Sequence, residues 1–153
     1  MRSRWFALSM VAVAFIGVSS QVSLAGATSS SAKQLSLFKK LDGPYSEADN
    51  KWTNALSNLT SKSTVAQVSK PSLAYVPAIK TFDAGLQKAG FTGKIATEVA
   101  DVIKLNGQLI KDLTSIKSVA SFQAELEPLF SKYSPVQDAL AKDFGIPAGD
   151  VVI

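Results

Sequence analysis

The sequence predicts an all-α protein: an up-down-up-down four-helix bundle with proline-kinked second and fourth helices, preceded by a signal peptide. Three observations carry this. Between Gly93 and Ile116, the residues Ile95, Val99, Val102, Asn106, Leu109, Leu113 and Ile116 recur at alternating steps of four and three. That spacing stacks them along one side of a helix. Comparable stripes lie on both sides of this stretch, separated by short links, and a one-sided helix needs partners to bury its face. No stretch alternates apolar and polar residues for long enough to make a sheet.

The elements follow in order. Residues 1–27 have a basic start (Arg2, Arg4), an apolar run from Trp5 to Val18, and small residues ending in Ala25-Gly26-Ala27. This is the layout of a secretory leader, cleaved after Ala27 or alternatively after Ala25. The run is shorter than the ~20 residues a spanning helix needs. The expectation is a secreted or extracytoplasmic protein with no stable membrane span after cleavage. Residues 28–34 read as a disordered polar tail. The helical bundle is expected over 35–147.

Leu35, Phe38 and Leu41 suggest a short helical piece, interrupted by Asp42-Gly43-Pro44, with Pro44 either starting the next helix or kinking a longer one. Ser46 and Asp49 resemble a capping box, and Tyr45, Trp52, Leu56 and Leu59 give the apolar face that follows. Ser63 or Thr64 can cap the second helix. Its stripe runs Val65, Val68, Ser72, Tyr75, Ile79, Phe82, Leu86 and Ala89, with Leu73 and Val76 alongside. Pro71 and Pro77 lie inside it and predict a bend, or a fresh start at Pro71. Gly90 stops it.

Thr92 can cap the third helix, with Phe91 packing on its first turn. Lys94, Glu98, Asp101, Gln108, Lys111 and Asp112 fall on its water side. Ser118 or Ser121 opens the fourth helix, whose stripe is Phe122, Leu126, Leu129, Tyr133, Val136 and Leu140, flanked by Phe130 and Phe144. Pro128 and Pro135 predict a kink or two pieces. Gly145-Ile146-Pro147 ends it, through a left-handed glycine, an apolar residue folding back and a proline that forbids continuation. Residues 148–153 form a C-terminal tail.

Several landmarks together resemble a known group. They are Trp52 in an aromatic-rich first helix, the second helix running through Pro77 to Leu86, Ile103, Leu109 and Asp112-Leu113 in the third, and the close on Asp143-Phe144-Gly145-Ile146-Pro147. This is similar to uncharacterised actinobacterial exported helical-bundle proteins, whose C-termini often read Asp-Leu-Gly-Leu-Pro. The resemblance covers most of the mature chain and implies the bundle and its export. It assigns no activity. Some members look like lipoproteins, but this chain has no Cys to carry the lipid.

Composition removes most chemistries. The 153 residues contain no Cys and no His, both Met lie in the leader, and no Arg follows Arg4. Disulfides and thiolate catalysis are excluded, as is haem ligation by His, Cys or Met in the mature chain. A di-iron bundle needs Glu-x-x-His. Glu125, Glu127 and Asp138 form no calcium loop and read as solvated charge. A serine nucleophile would lack a His base, and no G-x-S-x-G turn is present. No catalytic, cofactor-binding or metal residues are therefore assigned, no cofactor is expected, and the chain reads as a non-enzyme.

The net charge of +4 falls to +2 once Arg2 and Arg4 leave with the leader. Lysines are dispersed, with Lys39-Lys40 the one adjacent pair, so nucleic-acid binding is not expected. Trp52 reads as core or as an interface anchor.

Asn106 breaks the pattern, because an amide occupies the middle of an apolar stripe. Either it bonds a facing polar group and fixes helix register, or, with Tyr75 or Tyr133, it lines a polar spot in an apolar cavity opened by bends at Pro77 and Pro128. Gly107 would then allow close approach of a helix or ligand. Two functions follow. One is a non-enzymatic binding or interaction module of the cell envelope, whose partner is an envelope protein. The other is a carrier of a small apolar ligand held between the kinked helices.

Overall fold

The computed structural model describes residues 29–60, 62–151 and 153. The leader and its cleavage site lie outside the described residues. Four helices follow in order: α1 (Ser29–Ser57), α2 (Val65–Lys88), α3 (Gly93–Thr114) and α4 (Val119–Phe144). No strand occurs among the described residues. Each helix packs on its chain neighbours, and α4 closes against α1 across a narrower seam than those between chain neighbours. Links this short make successive helices antiparallel. The result is a four-helix bundle around one apolar core, which includes Phe38, Ile79, Val102, Leu113, Leu140 and Phe144. Among the described residues no helix is long and apolar enough to cross a membrane.

Two expectations for the N-terminal part need correction. The tail expected over 28–34 is helical from Ser29, and Asp42-Gly43-Pro44 does not interrupt α1. Pro44 is exposed, so the carbonyl it leaves without a donor faces water. On either side of it Leu35, Phe38, Tyr45 and Trp52 are all buried on one face. Packing of that face outweighs the local proline cost of ~3 kcal/mol. Ser46 caps nothing; its Oγ donates back to Asp42 Oδ2 at 3.1 Å within the same helix. The first turns of α1 are tied to the link between α2 and α3, where the Thr92 N–H donates to Gln34 Oε1 at 2.8 Å.

The second and fourth helices are continuous through Pro71, Pro77, Pro128 and Pro135, so neither the fresh start at Pro71 nor the two-piece α4 occurs. Pro77, Pro128 and Pro135 are exposed, which lets water satisfy the freed carbonyls. Thr64 opens α2 with a full capping box: its hydroxyl accepts from the Gln67 N–H while Gln67 Oε1 accepts from the Thr64 N–H. Val65 and Leu73, expected on the apolar side, are exposed.

The third helix buries Ile95, Val99, Val102, Asn106, Leu109 and Leu113 as the spacing predicts. Ile116 lies beyond its end and is half-buried. Thr92 holds the N-cap position without a side-chain bond. Asp112 is buried rather than facing water, and its Oδ1 accepts from Gln108 Nε2 at 2.7 Å. The fourth helix starts on Ser118, whose hydroxyl accepts from the Ser121 N–H. It ends with Gly145 at φ 74° while the Ile146 N–H reaches Ala141 O at 2.9 Å. The tail folds back: Val151 is buried, and Gln137 Nε2 donates to the Ile153 carbonyl.

Close helix approach occurs at Gly85, not at Gly107. A Cβ on Gly85 would meet Leu41 Cδ2 at 2.7 Å, whereas one on Gly107 would point into open space. The glycine that matters for packing therefore joins α2 to α1.

Candidate functional site

Asn106 is fully buried, and both ends of its amide are used. Its Nδ2 donates to Asp83 Oδ1 at 2.6 Å, and the Tyr133 hydroxyl donates to its Oδ1 at 2.7 Å. The chain Asp83–Asn106–Tyr133 thus ties α2, α3 and α4 together. A buried amide without partners is costly, and these bonds remove that cost. The register-fixing reading of Asn106 fits this arrangement.

Tyr75, the other tyrosine singled out with Asn106, belongs to a different group. Its ring stacks on Trp52, centroids 5.1 Å apart, and lies 5.7 Å from Tyr45, which in turn stacks on Phe82 at 4.5 Å. Trp52 Nε1 donates to Ser72 Oγ at 3.2 Å, and that hydroxyl donates to the Val68 carbonyl. Trp52 is core, as its spacing suggests. The Tyr75 hydroxyl is buried close to Asp49 and Tyr45, near enough to bear on the titration of both, but completes no hydrogen bond of ordinary geometry.

Around these rings stand three carboxyls. Asp42 and Asp49 come from α1, and Asp83 from α2. Burial pushes the Asp42 carboxyl up to about 6, with Ser46 opposing and Asp49 adding to the rise. Burial likewise pushes Asp83 up to about 6 against the Asn106 bond. Asp49 is raised too, mainly by burial, with the neighbouring Tyr75 hydroxyl offsetting part of it. Tyr45, Tyr75 and Tyr133 are all held above the usual phenol range, burial first and nearby acidic groups second. A low-dielectric site with no compensating cation favours the neutral form of every one of these groups.

Comparison with known proteins does not name this site. No family model, no curated protein and no solved structure matches the chain.

A second acidic contact lies between α3 and α4, where Glu98 and Asp143 meet. Glu98 Oε2 and Asp143 Oδ2 are each buried, and no hydroxyl, amide or ammonium group donates to either. Glu98 is pushed up to about 7 by burial first, then by the bond and charge of Asp143; Lys94 opposes and Asp101 adds. Two carboxyls in contact cannot both ionise cheaply. Among the described residues no three carboxylates come together as metal ligands.

Space for a ligand lies outside the core. A cavity of about 310 Å³ opens between α1 and α2, bordered by Leu41, Pro44, Tyr45, Pro77, Ala78 and Phe82, with Lys40 and Thr81 also at its wall. Asn106, Tyr133 and Tyr75 do not line it. The polar spot expected at Asn106 is therefore filled by protein groups, and Tyr45 alone touches both the groove and the polar interior.

Sequence reasoning missed the acids, yet the signal was present. Leu35, Phe38, Asp42, Tyr45, Asp49, Trp52 and Leu56 recur at alternating steps of three and four. Two aspartates occupy stripe positions, hidden by the apparent break at Gly43-Pro44. Glu98 stands three after Ile95 and four before Val102, at the edge of the α3 stripe.

Proposed function

We propose that this chain is an exported, non-enzymatic binding module of the cell envelope. Its leader directs it out of the cytoplasm, and its mature bundle recognises an envelope protein on an outer surface. The observation that carries this reading is the location of free space. The interior around Asn106 is filled by Asp83 and Tyr133, whereas a mostly apolar recess of about 310 Å³ opens to the surface between α1 and α2. A partner docking there would cover Leu41, Pro44, Pro77 and Ala78, and Lys40 would meet an acidic group on it. Bends at Pro77 and Pro128 belong to this reading; the one at Pro77 would hold the groove open. The resemblance to exported actinobacterial bundles supports export and leaves the partner open.

The absence of His and Cys supports a non-enzymatic role. The carrier reading retains one supporting observation, since about 310 Å³ matches the lower range of small-molecule sites. Native mass spectrometry of the protein from its own host's culture fluid separates the two. A stable protein complex that is lost in Ala78→Glu, with helix content unchanged by circular dichroism, is the expected result. A co-purifying small apolar molecule displaced by the same substitution would replace this reading with the carrier. Retention of export when residues 1–27 are deleted would refute the assignment of the leader.

A further inference from the structure

The exposed charges are not spread evenly over the four helices. Of the acids on α2 and α3, Asp83 bonds Asn106, Glu98 meets Asp143 on α4, and Asp112 is buried with Gln108. Asp101 alone is exposed, three residues after Glu98 on the side of α3 turned towards α4. The side of α3 turned towards α2 carries no acid. Lys104 and Lys111 edge it, four residues after Ala100 and Gly107 respectively, and Lys70, Lys80 and Lys88 project from α2. All of these lysines are exposed.

Apolar groups lie between them. Phe91, Ala100 and Ile103 border an open groove of about 170 Å³ between α2 and α3. The same side of α3 continues through Gly107, where a Cβ would meet nothing, to half-buried Ile110. On α2, Gln87 borders the groove, and Lys80 and Leu73 precede it at steps of seven, which keeps them in line with it. Leu73 is 52% exposed, the most exposed large apolar side chain among the described residues.

This combination selects a partner. A second copy meeting the face through a two-fold axis would set lysines against lysines. The lysines of α2 alone spread over ~27 Å, at about 1.5 Å of rise per residue, so they cannot converge on one phosphate. No Arg in the four helices offers the planar fork that suits a protein carboxylate. An extended anionic surface with an apolar layer beneath it matches what is present: long lysine stems lie along apolar groups and carry their charges to headgroup level. We propose that the α2/α3 face docks on an anionic bilayer surface, with Leu73 dipping to the acyl boundary and the lysines around it meeting lipid phosphates. Docking is peripheral, since among the described residues no helix is long and apolar enough to cross a membrane. It leaves α1 and α4, with exposed Glu47, Glu125, Glu127 and Asp138, on the far side from the like-charged headgroups. It does not depend on what occupies the α1/α2 groove.

The chain has no Cys, so Leu73→Cys and Lys39→Cys each place one environment-sensitive dye, on this face and on α1 respectively. Both labelled proteins are titrated with vesicles of phosphatidylglycerol and phosphatidylcholine in equal parts, and with phosphatidylcholine alone. Residues 1–27 are common to every protein compared, so a difference between them reports the face. The dye at position 73 should shift to the blue on the anionic vesicles only, and the dye at position 39 should not shift. Each lysine near an anionic leaflet strengthens binding about fivefold. Adding Lys80→Gln, Lys104→Gln and Lys111→Gln to the position-73 protein should therefore raise the lipid needed for half the shift about tenfold or more. Lys39→Gln, Lys132→Gln and Lys142→Gln, on the other two helices, should leave it within about twofold. No shift at position 73, the same shift at both positions or on neutral vesicles, or equal losses in the two triple variants would overturn the proposal. An equal shift with soluble polyglutamate would also overturn it, in favour of an acidic protein partner.

Discussion

Tyr133 and Tyr75 sit at equal depth in the bundle, 3% and 2% exposed, in opposite circumstances. Tyr133 belongs to a completed chain. Its hydroxyl donates to Asn106, which donates to Asp83, and three helices are held in register. Tyr75 lies in the aromatic stack with Trp52 and Tyr45, and its hydroxyl sits beside Asp49 without completing a hydrogen bond of ordinary geometry. One side of the interior is held by directed bonds and shape together; the other is held by ring packing, with its polar atoms tolerated. The difference teaches where this bundle is rigid and where it can give. Buried polar groups that are satisfied specify one arrangement, whereas unsatisfied ones make charge changes costly.

That contrast can be broken from the bonded side first. Asn106→Leu strips the donor from Asp83 and the acceptor from Tyr133, orphaning two buried groups at once. It should destabilise by about 2–4 kcal/mol in urea unfolding, since each orphaned group costs about 1–3 kcal/mol and the leucine recovers part of it. A neutral or stabilising result would mean the chain holds nothing.

Asp42→Asn probes the unsatisfied side through pH. Below pH ~4 it should match wild type. By pH 8 it should be the more stable of the two, because it deletes a group whose stabilising protonated state is lost above about 6. Thermal melts at the two pH values check the sign. Trp52→Phe is a smaller change. It keeps most of the ring packing and loses the bond to Ser72, so a loss of about 1 kcal/mol is expected in the same unfolding assay.

The sequence carried the two regions unequally, for physical reasons. The α3 stripe was legible because an unbroken three-four pattern over six turns has one helical solution. Asn106 stood out as its single polar member, and Tyr133 was a natural partner at a stripe position of α4. The caps at Thr64 and Ser118 and the close at Gly145-Ile146 were equally readable, because local hydrogen bonding decides them. Helix α1 was not. Gly43-Pro44 is a strong local stop signal, and only tertiary burial of Phe38, Tyr45 and Trp52 overrides it. With a break assumed at Gly43-Pro44, Asp42 and Asp49 read as turn and cap residues, which hides two part-buried acids on the α1 stripe. The misplaced close approach has a similar origin. Gly107 neighbours Asn106 in sequence, but a helix turns adjacent residues by about 100°, which sends Gly107 to the surface.

The most direct measurement compares Tyr133→Phe and Tyr75→Phe by urea unfolding at pH 5, below the pKa of about 6 to which burial pushes Asp42 and Asp83. Each variant removes one buried oxygen and leaves the ring. The account predicts a loss of about 1–3 kcal/mol for Tyr133→Phe, which orphans the Asn106 carbonyl, and a change within about 0.5 kcal/mol for Tyr75→Phe. Equal losses, or a larger loss at Tyr75, would contradict the division of the interior into a bonded side and an unbonded one.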